Sequence, residues 1–484
     1  MFKKFFVFFL FVISTNGSSQ EIINSFHMSL NPDDFVFDIK NDSTQTSTLF
    51  KVNKNKILAI KLNENKQIID SLITESIVEK YSIVGSNYNK SSDIIYCKNE
   101  KSGNLSALLF DFYNKKTSSI NIDINLNKYN NIFNFSQNDR FYILYTIKGT
   151  NNLKIDIVDF KGNLTSHIID VSNFKLLNYY NQSTTLYKSI GSFYGTFATK
   201  NFSVIDSKTN PSLIEASNRT KLYIKENQLI FTFDISRSFT QILNVNLKDF
   251  TANLRQIPTP HIGGSIESNT IIESNSFLFD DKLFQFKLTP ELEIISMKNL
   301  DGKLINSYIL KSENENTNNS NSYHITSPKN NELEKLKNSK DFLDRSTKLG
   351  YGAGIYCSKI DNGYQITFGA ISDLQNKNTS VISLFPVPII GLTTALTLFT
   401  LEKTSFKNTS IYKNRFAVFG SLKIDEQLQT FSNRNPEFIN SEIEDYMSKT
   451  KKISNFTFSK FKNSQILGFY NENTKMYIFK LFNN

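Results

Sequence analysis

Three features of the 484-residue chain predict an all-β fold of the propeller type. Short β-branched and aromatic runs alternate with turns rich in Asn, Asp and Gly. The pattern returns in register every 40–50 residues, the spacing of antiparallel blades that bury one another. Composition is the third: 39% of residues are hydrophobic, with 43 Phe and 21 Tyr, enough apolar material for a packed core.

Residues 141–171 display the unit. The run from Phe141 to Ile147 stops at Gly149, Asn151 and Asn152. Leu153, Ile155 and Ile157 then alternate with Lys154 and Asp156, the period of two that a half-buried strand requires. Asp159 and Gly162 supply a turn, and Leu164 to Ile168 start the next strand. Shifting by 48 residues places Leu153 on Leu105 and then on Ile57, with looser copies at Phe202, Ile242 and Leu292. Six units are thus expected between about residues 47 and 311. One thin sheet cannot bury both faces, so stacking around an axis follows.

The chain opens with Lys3 and Lys4, an apolar run over 5–13, and the small residues Gly17 and Ser19. This is the layout of a secretory signal at 1–19, with cleavage ahead of Gln20, and the run is too short to span a bilayer. The expected location is therefore exported: periplasmic, associated with the outer membrane, or extracellular. Residues 20–484 are expected to form one propeller domain. Within it, 20–40 is a lead-in whose strand around Asp34 to Ile39 is a candidate to close the ring.

Downstream, 312–347 reads as a polar insertion, with an Asn-, Thr- and Ser-rich loop at 316–321 and a short helix over 331–345. Strands resume at 354–359 and 364–372 around an Asp361-Asn362-Gly363 turn. Residues 381–401 carry no charge, but Pro386, Pro388 and Gly391 oppose a spanning helix. They read as a buried hairpin, with membrane contact the lesser alternative. A strand over 412–424 follows. Asn435-Pro436 opens a helix over 436–448, with Ile439, Ile443 and Met447 on one stripe. Three closing strands lie at 456–461, 465–470 and 476–482. The total is seven or eight blades, and seven is the expectation.

Trp is absent, which excludes the Trp-containing signatures of WD40 blades and of sialidase-type Asp boxes. The net charge of +10 falls to +8 without the two signal lysines, and the cations are dispersed among acids rather than gathered. No nucleic-acid-binding pattern accompanies them, so a solvated basic surface is the reading. Cys97 and Cys357 sit in strand-like contexts and read as two separate buried thiols, although an exported compartment permits a disulfide.

Motifs with chemical meaning each fail on inspection. The His261-Ile262-Gly263-Gly264-Ser265 run lacks the Gly-x-Ser-x-Gly elbow that an oxyanion loop would serve. Gly350, Gly352 and Gly354 lead into a strand instead of a helix, so the run reads as a flexible re-entry into the sheet and not as a phosphate loop. Asp123 opens a calcium-like run that has Lys128 and Asn134 where Gly and Glu are needed, and it reads as an amphipathic strand. His27, His167, His261 and His324 share no ligand spacing. The acid clusters Asp33-Asp34, Asp280-Asp281 and Glu442/Glu444/Asp445 fall in turn-like or helix-start contexts. No residue is nominated as catalytic, cofactor-binding or metal-ligating, and no cofactor is expected.

The repeat anchors, the signal and the closing Leu467-Gly468-Phe469-Tyr470 and Tyr477-Ile478-Phe479-Lys480 segments together resemble uncharacterised exported propeller-like proteins of Bacteroidetes bacteria. The resemblance implies no activity. The functional expectation is a non-enzymatic exported binding or scaffolding propeller of the cell envelope, with an envelope protein or a glycan as partner. The alternative is a propeller hydrolase or lyase acting on an extracellular glycan.

Overall fold

The computed structural model describes residues 21–483 apart from 42–43, 54–55, 75–80, 192–201, 206–210, 262–272, 312–321, 327–332, 348–350, 361–362, 373–415, 431–442, 444–445, 448 and 462–463. Among the described residues, seven sheets of four or five strands form the blades of a β-propeller. Blade 1 is Phe35–Asn41, Thr46–Val52, Ile57–Leu62 and Ile68–Ile73, and blade 2 is Tyr81–Tyr88, Ser92–Asn99, Asn104–Asp111 and Lys116–Asn125. Blade 3 is Asn130–Gln137, Arg140–Thr146, Asn152–Val158 and Leu164–Asp170. Blade 4 is Thr220–Lys225, Gln228–Phe233, Phe239–Asn246 and Ala252–Pro258, and blade 5 is Glu273–Phe279, Lys282–Leu288, Leu292–Asn299 and Leu304–Lys311.

These five blades are meanders in chain order, and their third strands carry five of the six repeat anchors: 57, 105, 153, 242 and 292. The sixth anchor, Phe202, is corrected. Phe202–Ile205 is a fifth strand that pairs parallel to the first strand of blade 4. Five blades therefore occupy the stretch where six units were expected. An insertion between blades 3 and 4, including the helix Leu186–Gly191, supplied the extra apparent period.

Burial explains the order of strands within a blade. The second strand Arg140–Thr146 is buried at every position after Arg140, because neighbouring blades cover both its faces. The fourth strands are mostly exposed or half-buried and present Ile68, Ile69, Ile73, Ile168, Leu304, Ile305 and Ile309 at the periphery. Apolar clusters join consecutive blades. Phe37, Phe50, Ile95 and Phe110 link blades 1 and 2; Tyr96, Phe141 and Ile143 link 2 and 3; and Phe133, Leu144, Leu222 and Phe231 link 3 and 4. One large cluster spans blades 4, 5 and 6.

The blade period also returns as hydrogen bonds. Thr48 Oγ1 donates to Asp93 Oδ2 (2.6 Å), Asn41 Nδ2 to the Asn89 carbonyl (2.9 Å), Asn134 Nδ2 to the Val84 carbonyl (3.3 Å) and Gln285 Nε2 to Thr240 Oγ1 (3.0 Å). Each pair is 45 to 50 residues apart and crosses from one blade to the next.

The last two blades borrow strands. Blade 7 is Ile453–Phe461, Ser464–Asn471 and Met476–Asn483, completed by Glu21–His27 running antiparallel to the last strand. The ring closes through residues 21–27, not through Asp34 to Ile39, of which Phe35 to Ile39 lie in the first strand of blade 1. The physical reason lies in side-chain chemistry. Val36, Phe37 and Ile39 bring apolar groups that need cover on both faces, whereas every residue of Glu21–His27 is exposed or half-buried, as suits an outer strand. Val36 N–H donates to Asn455 Oδ1 (3.0 Å), a direct tie between blades 1 and 7.

Blade 6 is Tyr351–Ile360, Gly363–Ser372 and Ala417–Asp425, with Ser322–Thr326 and Leu333–Lys335 added beyond the third strand. Part of the expected polar insertion is therefore sheet. Its helix is Ser339–Ser346, shorter than expected, and starts where the Asn338 side chain accepts the Asp341 N–H (2.9 Å). Ile443, Tyr446 and Met447, from the expected 436–448 helix, pack on Phe458, Leu467, Phe469 and Phe482 of blade 7. The expectations for 1–19, 316–321 and 381–401 lie outside the described residues.

Gly354, in the first strand of blade 6, has a packing role. The one-turn helix Leu213–Ala216, held by a Ser212/Glu215 capping box, lies against Phe202–Ile205 and against the first strand of blade 6. A Cβ on Gly354 would meet Leu213 Cδ1 and the Ser217 nitrogen at 3.0 Å. Gly354 thus admits a close backbone approach within the strand Tyr351–Ile360, the strand into which the run was expected to lead.

Candidate functional site

In a four-stranded meander, the approach to the first strand and the turn between the second and third strands share one end of the blade. At blades 4 and 5 that end gathers Arg219, just before Thr220–Lys225; the 234–238 turn, after Gln228–Phe233; and Glu273, the first residue of blade 5. A two-stranded hairpin inserted after blade 3, Leu176–Leu177 with Ser183–Thr184, adds Tyr179 and Tyr180 from its turn.

The hairpin is tied down at both levels. Leu177 N–H donates to Gln241 Oε1 (2.8 Å), and Gln241 Nε2 donates to the Lys175 carbonyl (2.8 Å). At the tip, Asn181 adopts a left-handed conformation (φ 61°). Its amide donates to Ser238 Oγ (3.0 Å), and its oxygen accepts from Ser236 Oγ (2.6 Å). Ser236 Oγ in turn accepts the N–H groups of Ser238 (3.0 Å) and Phe239 (3.1 Å). The turn that carries Arg237 is therefore fixed by hydrogen bonds on either side of it.

The Arg237 guanidinium lies 4.0 Å from the centre of the Tyr179 ring, and that of Arg219 lies 5.8 Å away. Arg219 Nη2 is 3.0 Å from Glu273 Oε2. Burial pushes the Glu273 carboxyl up from its ordinary value, while Arg219 and then Arg237 pull against that shift. Both guanidiniums therefore act on one half-buried carboxylate. Arg219 spends donors on Glu273; Arg237 is exposed and, among the described residues, donates no side-chain hydrogen bond. Tyr180, 71% exposed, stands edge-on to Tyr179 with ring centres 5.3 Å apart.

Below this surface runs a buried polar network. Lys221, in the first strand of blade 4, is fully buried, with Nζ 3.3 Å from Asp234 Oδ2 and a hydrogen bond to Asn275 Oδ1. Asp234 also accepts from Thr240 Oγ1 (2.8 Å) and from the N–H (3.0 Å) and hydroxyl (2.9 Å) of Ser276. Asn275 Nδ2 donates to the carbonyls of Ser217 (3.0 Å) and Ala353 (2.7 Å), reaching blade 6. Burial draws the Lys221 pKa down, and the Asp234 carboxylate opposes it. A charge pair with this many partners locks the register of three blades, and Asp234 itself begins the turn that presents Arg237.

The motifs considered from sequence lie elsewhere. His261 is exposed, with 262–265 outside the described residues. Asp123 falls in the outer strand Lys116–Asn125, where Ile122 is buried. Asp34 is buried beside Lys51 (3.1 Å), and Asp280 and Asp281 form a tight left-handed turn in blade 5. Glu442, Glu444 and Asp445 are outside the described residues. His27, His167 and His324 belong to blades 7, 3 and 6, and among the described residues no group of three or more His, Cys, Asp or Glu is placed to hold a metal ion. Cys97 and Cys357 are both buried and unpaired, in blades 2 and 6. Burial pushes each thiol well above its ordinary pKa.

Sequence reading missed Tyr179, Arg219, Arg237 and Glu273 because they come from three separate connections and the start of a strand. One signal was available. Arg is scarce in this lysine-rich chain, seven of 55 cationic residues, and two of the seven bracket the first half of blade 4.

No family model and no curated protein matches the chain. Among solved structures, the Dos1 propeller is similar at 9% identity and a TM-score of 0.31, over 96% of this chain and 95% of that one. The β-propeller domain of Vanderwaltozyma polyspora Nup133 is similar at 8% identity and a TM-score of 0.30, over 71% and 85%. An ACO/RPE65 chimera is similar at 9% identity and a TM-score of 0.27, over 55% of this chain and 58% of its own length, so this chain spans under two thirds of it. The propeller assignment rests on the seven sheets themselves.

Proposed function

We propose that the chain is a non-enzymatic binding module, exported to the cell envelope, that holds a partner on the exposed end of blades 4 and 5. The observation that carries this reading is Arg237: an exposed guanidinium with its donors uncommitted among the described residues, aimed by an aromatic ring and by a turn pinned at Asn181 and Ser236. Such pre-ordering lowers the entropic cost of engaging a ligand. The surrounding β-sheet supplies a rigid frame, since Lys221, Asp234 and Asn275 hold blades 4, 5 and 6 in register.

The test has two parts. Cell fractionation with mass spectrometry of the recovered protein is expected to find it outside the cytoplasm with Gln20 as its first residue. Purified protein is expected to bind an envelope polysaccharide or envelope protein saturably, and to lose that binding when Arg237 is replaced. Release of new reducing ends or of unsaturated sugars during the binding assay would overturn the reading in favour of a glycan hydrolase or lyase.

A further inference from the structure

Resting on the binding role just proposed, we infer that the Tyr180–Arg237 surface is a subsite for an acidic sugar, a pyranose bearing a carboxylate or sulfate, within a glycan chain. The geometry supplies the two halves that such a residue needs. Arg237 lies over the Tyr179 ring at 4.0 Å, a cation–π contact that holds the guanidinium at this end, and its parallel N–H groups match the paired oxygens of a carboxylate or sulfate. Arg219 lies 5.8 Å from the same ring and adds positive potential while its Nη2 engages Glu273.

Tyr180 supplies the second half. Tyr180 is 71% exposed, on the tip of a hairpin held by three hydrogen bonds to blade 4, so it presents an apolar plate on a fixed backbone. A pyranose ring has one face dominated by C–H groups, which lies flat on an aromatic plate, and a rim of hydroxyls. Asn181 and Ser238 stand beside the plate with hydrogen-bonding capacity left after their mutual contact: one amide N–H on Asn181 and the hydroxyl of Ser238. An extended peptide would seek an unpaired strand edge or a groove for its side chains. The tip offers neither: it is a turn, with its two short strands paired to each other. A flat ring with an acidic substituent is what this plate-and-fork arrangement accommodates.

The test uses the full mature chain and titration calorimetry with four probes: a galacturonic acid trimer, its methyl ester, a sulfated disaccharide, and a neutral tripeptide with a free carboxylate. The trimer or the sulfated sugar is expected to bind, and the ester and the tripeptide to bind at least tenfold more weakly. Arg237→Ala is expected to weaken binding tenfold or more, Arg237→Lys nearly as much, and Tyr180→Ala about fivefold, with Tyr180→Phe close to wild type. Thermal melting of each variant checks that the fold is retained. Which of the two charged sugars binds more tightly separates carboxylate from sulfate as the source of the anion. Equal binding of ester and acid, tighter binding of the tripeptide, or indifference to both Arg237 and Tyr180 substitutions would overturn the inference. Saturable binding to a neutral glycan or an envelope protein, unaffected by these substitutions, would remove the acidic-sugar subsite while leaving a binding role. Turnover of the trimer would remove both.

Discussion

Asp93 makes a quantitative case for how blade stacking treats a charge. It lies near the start of the second strand of blade 2, 3% exposed, with Oδ2 accepting from Thr48 Oγ1 of blade 1 at 2.6 Å. Burial raises its pKa from 3.8 to about 6, with Thr48 and then Lys61 opposing the shift. A carboxyl whose folded-state pKa is raised favours the fold while it is protonated. That contribution is complete below the unfolded value near 3.8 and is lost as pH rises through about 6. A shift of roughly two units corresponds to about 3 kcal/mol at most. With about 2.1 cal/mol/K of unfolding entropy per residue, a chain of this length gains or loses about 1 °C in Tm per kcal/mol. Asp93→Asn keeps the shape and the acceptor for Thr48 but cannot ionise. Melting curves of wild type and variant, recorded from pH 3.5 to 7.5, are expected to coincide at the acid end. They should separate by about 3 °C at the neutral end, with the variant the more stable. A difference that stays flat across this range, or that favours wild type as pH rises, would refute the argument that blade packing desolvates this carboxyl.

Two further perturbations probe the blade interfaces. Gly85, in the first strand of blade 2, faces Phe141 of blade 3, which stacks on Tyr96 at 4.0 Å; an added Cβ would lie 2.6 Å from Phe141 Cζ. Gly85→Ala is therefore expected to cost about 1–3 kcal/mol by overpacking, seen as a lower denaturation midpoint in urea, and an unchanged midpoint would contradict the stacked arrangement. Lys221→Met removes the cation buried beside Asp234 and is expected to cost about 3–5 kcal/mol in the same assay. Adding Asp234→Asn should recover part of that loss, because the orphaned charge goes with it; strict additivity of the two substitutions would show that the pair is not coupled.

Much of this architecture was legible before any coordinates. Alternation at Leu153, Ile155 and Ile157, and the turn residues Asp159 and Gly162, are local signals, and third strands recur at the positions the 48-residue shift picked out. The three closing strands and the separate burial of Cys97 and Cys357 were legible for the same reason: each depends on a few consecutive side chains. The candidate site was not, because Tyr179, Arg219, Arg237 and Glu273 share no local pattern and meet only when the same ends of neighbouring blades face one direction.

The sequence by itself determined that this chain makes short antiparallel strands at a blade's spacing, because side-chain alternation and turn chemistry are decided within a few residues. Tertiary structure alone decided which edges pair. Glu21–His27 completes the last blade, Ser322–Thr326 pairs with Ala417–Asp425 out of chain order, and Phe202–Ile205 runs parallel beside blade 4. A strand edge offers the same row of N–H and C=O groups to any partner, so the choice falls to whichever edge the packing of apolar faces around the axis brings within reach.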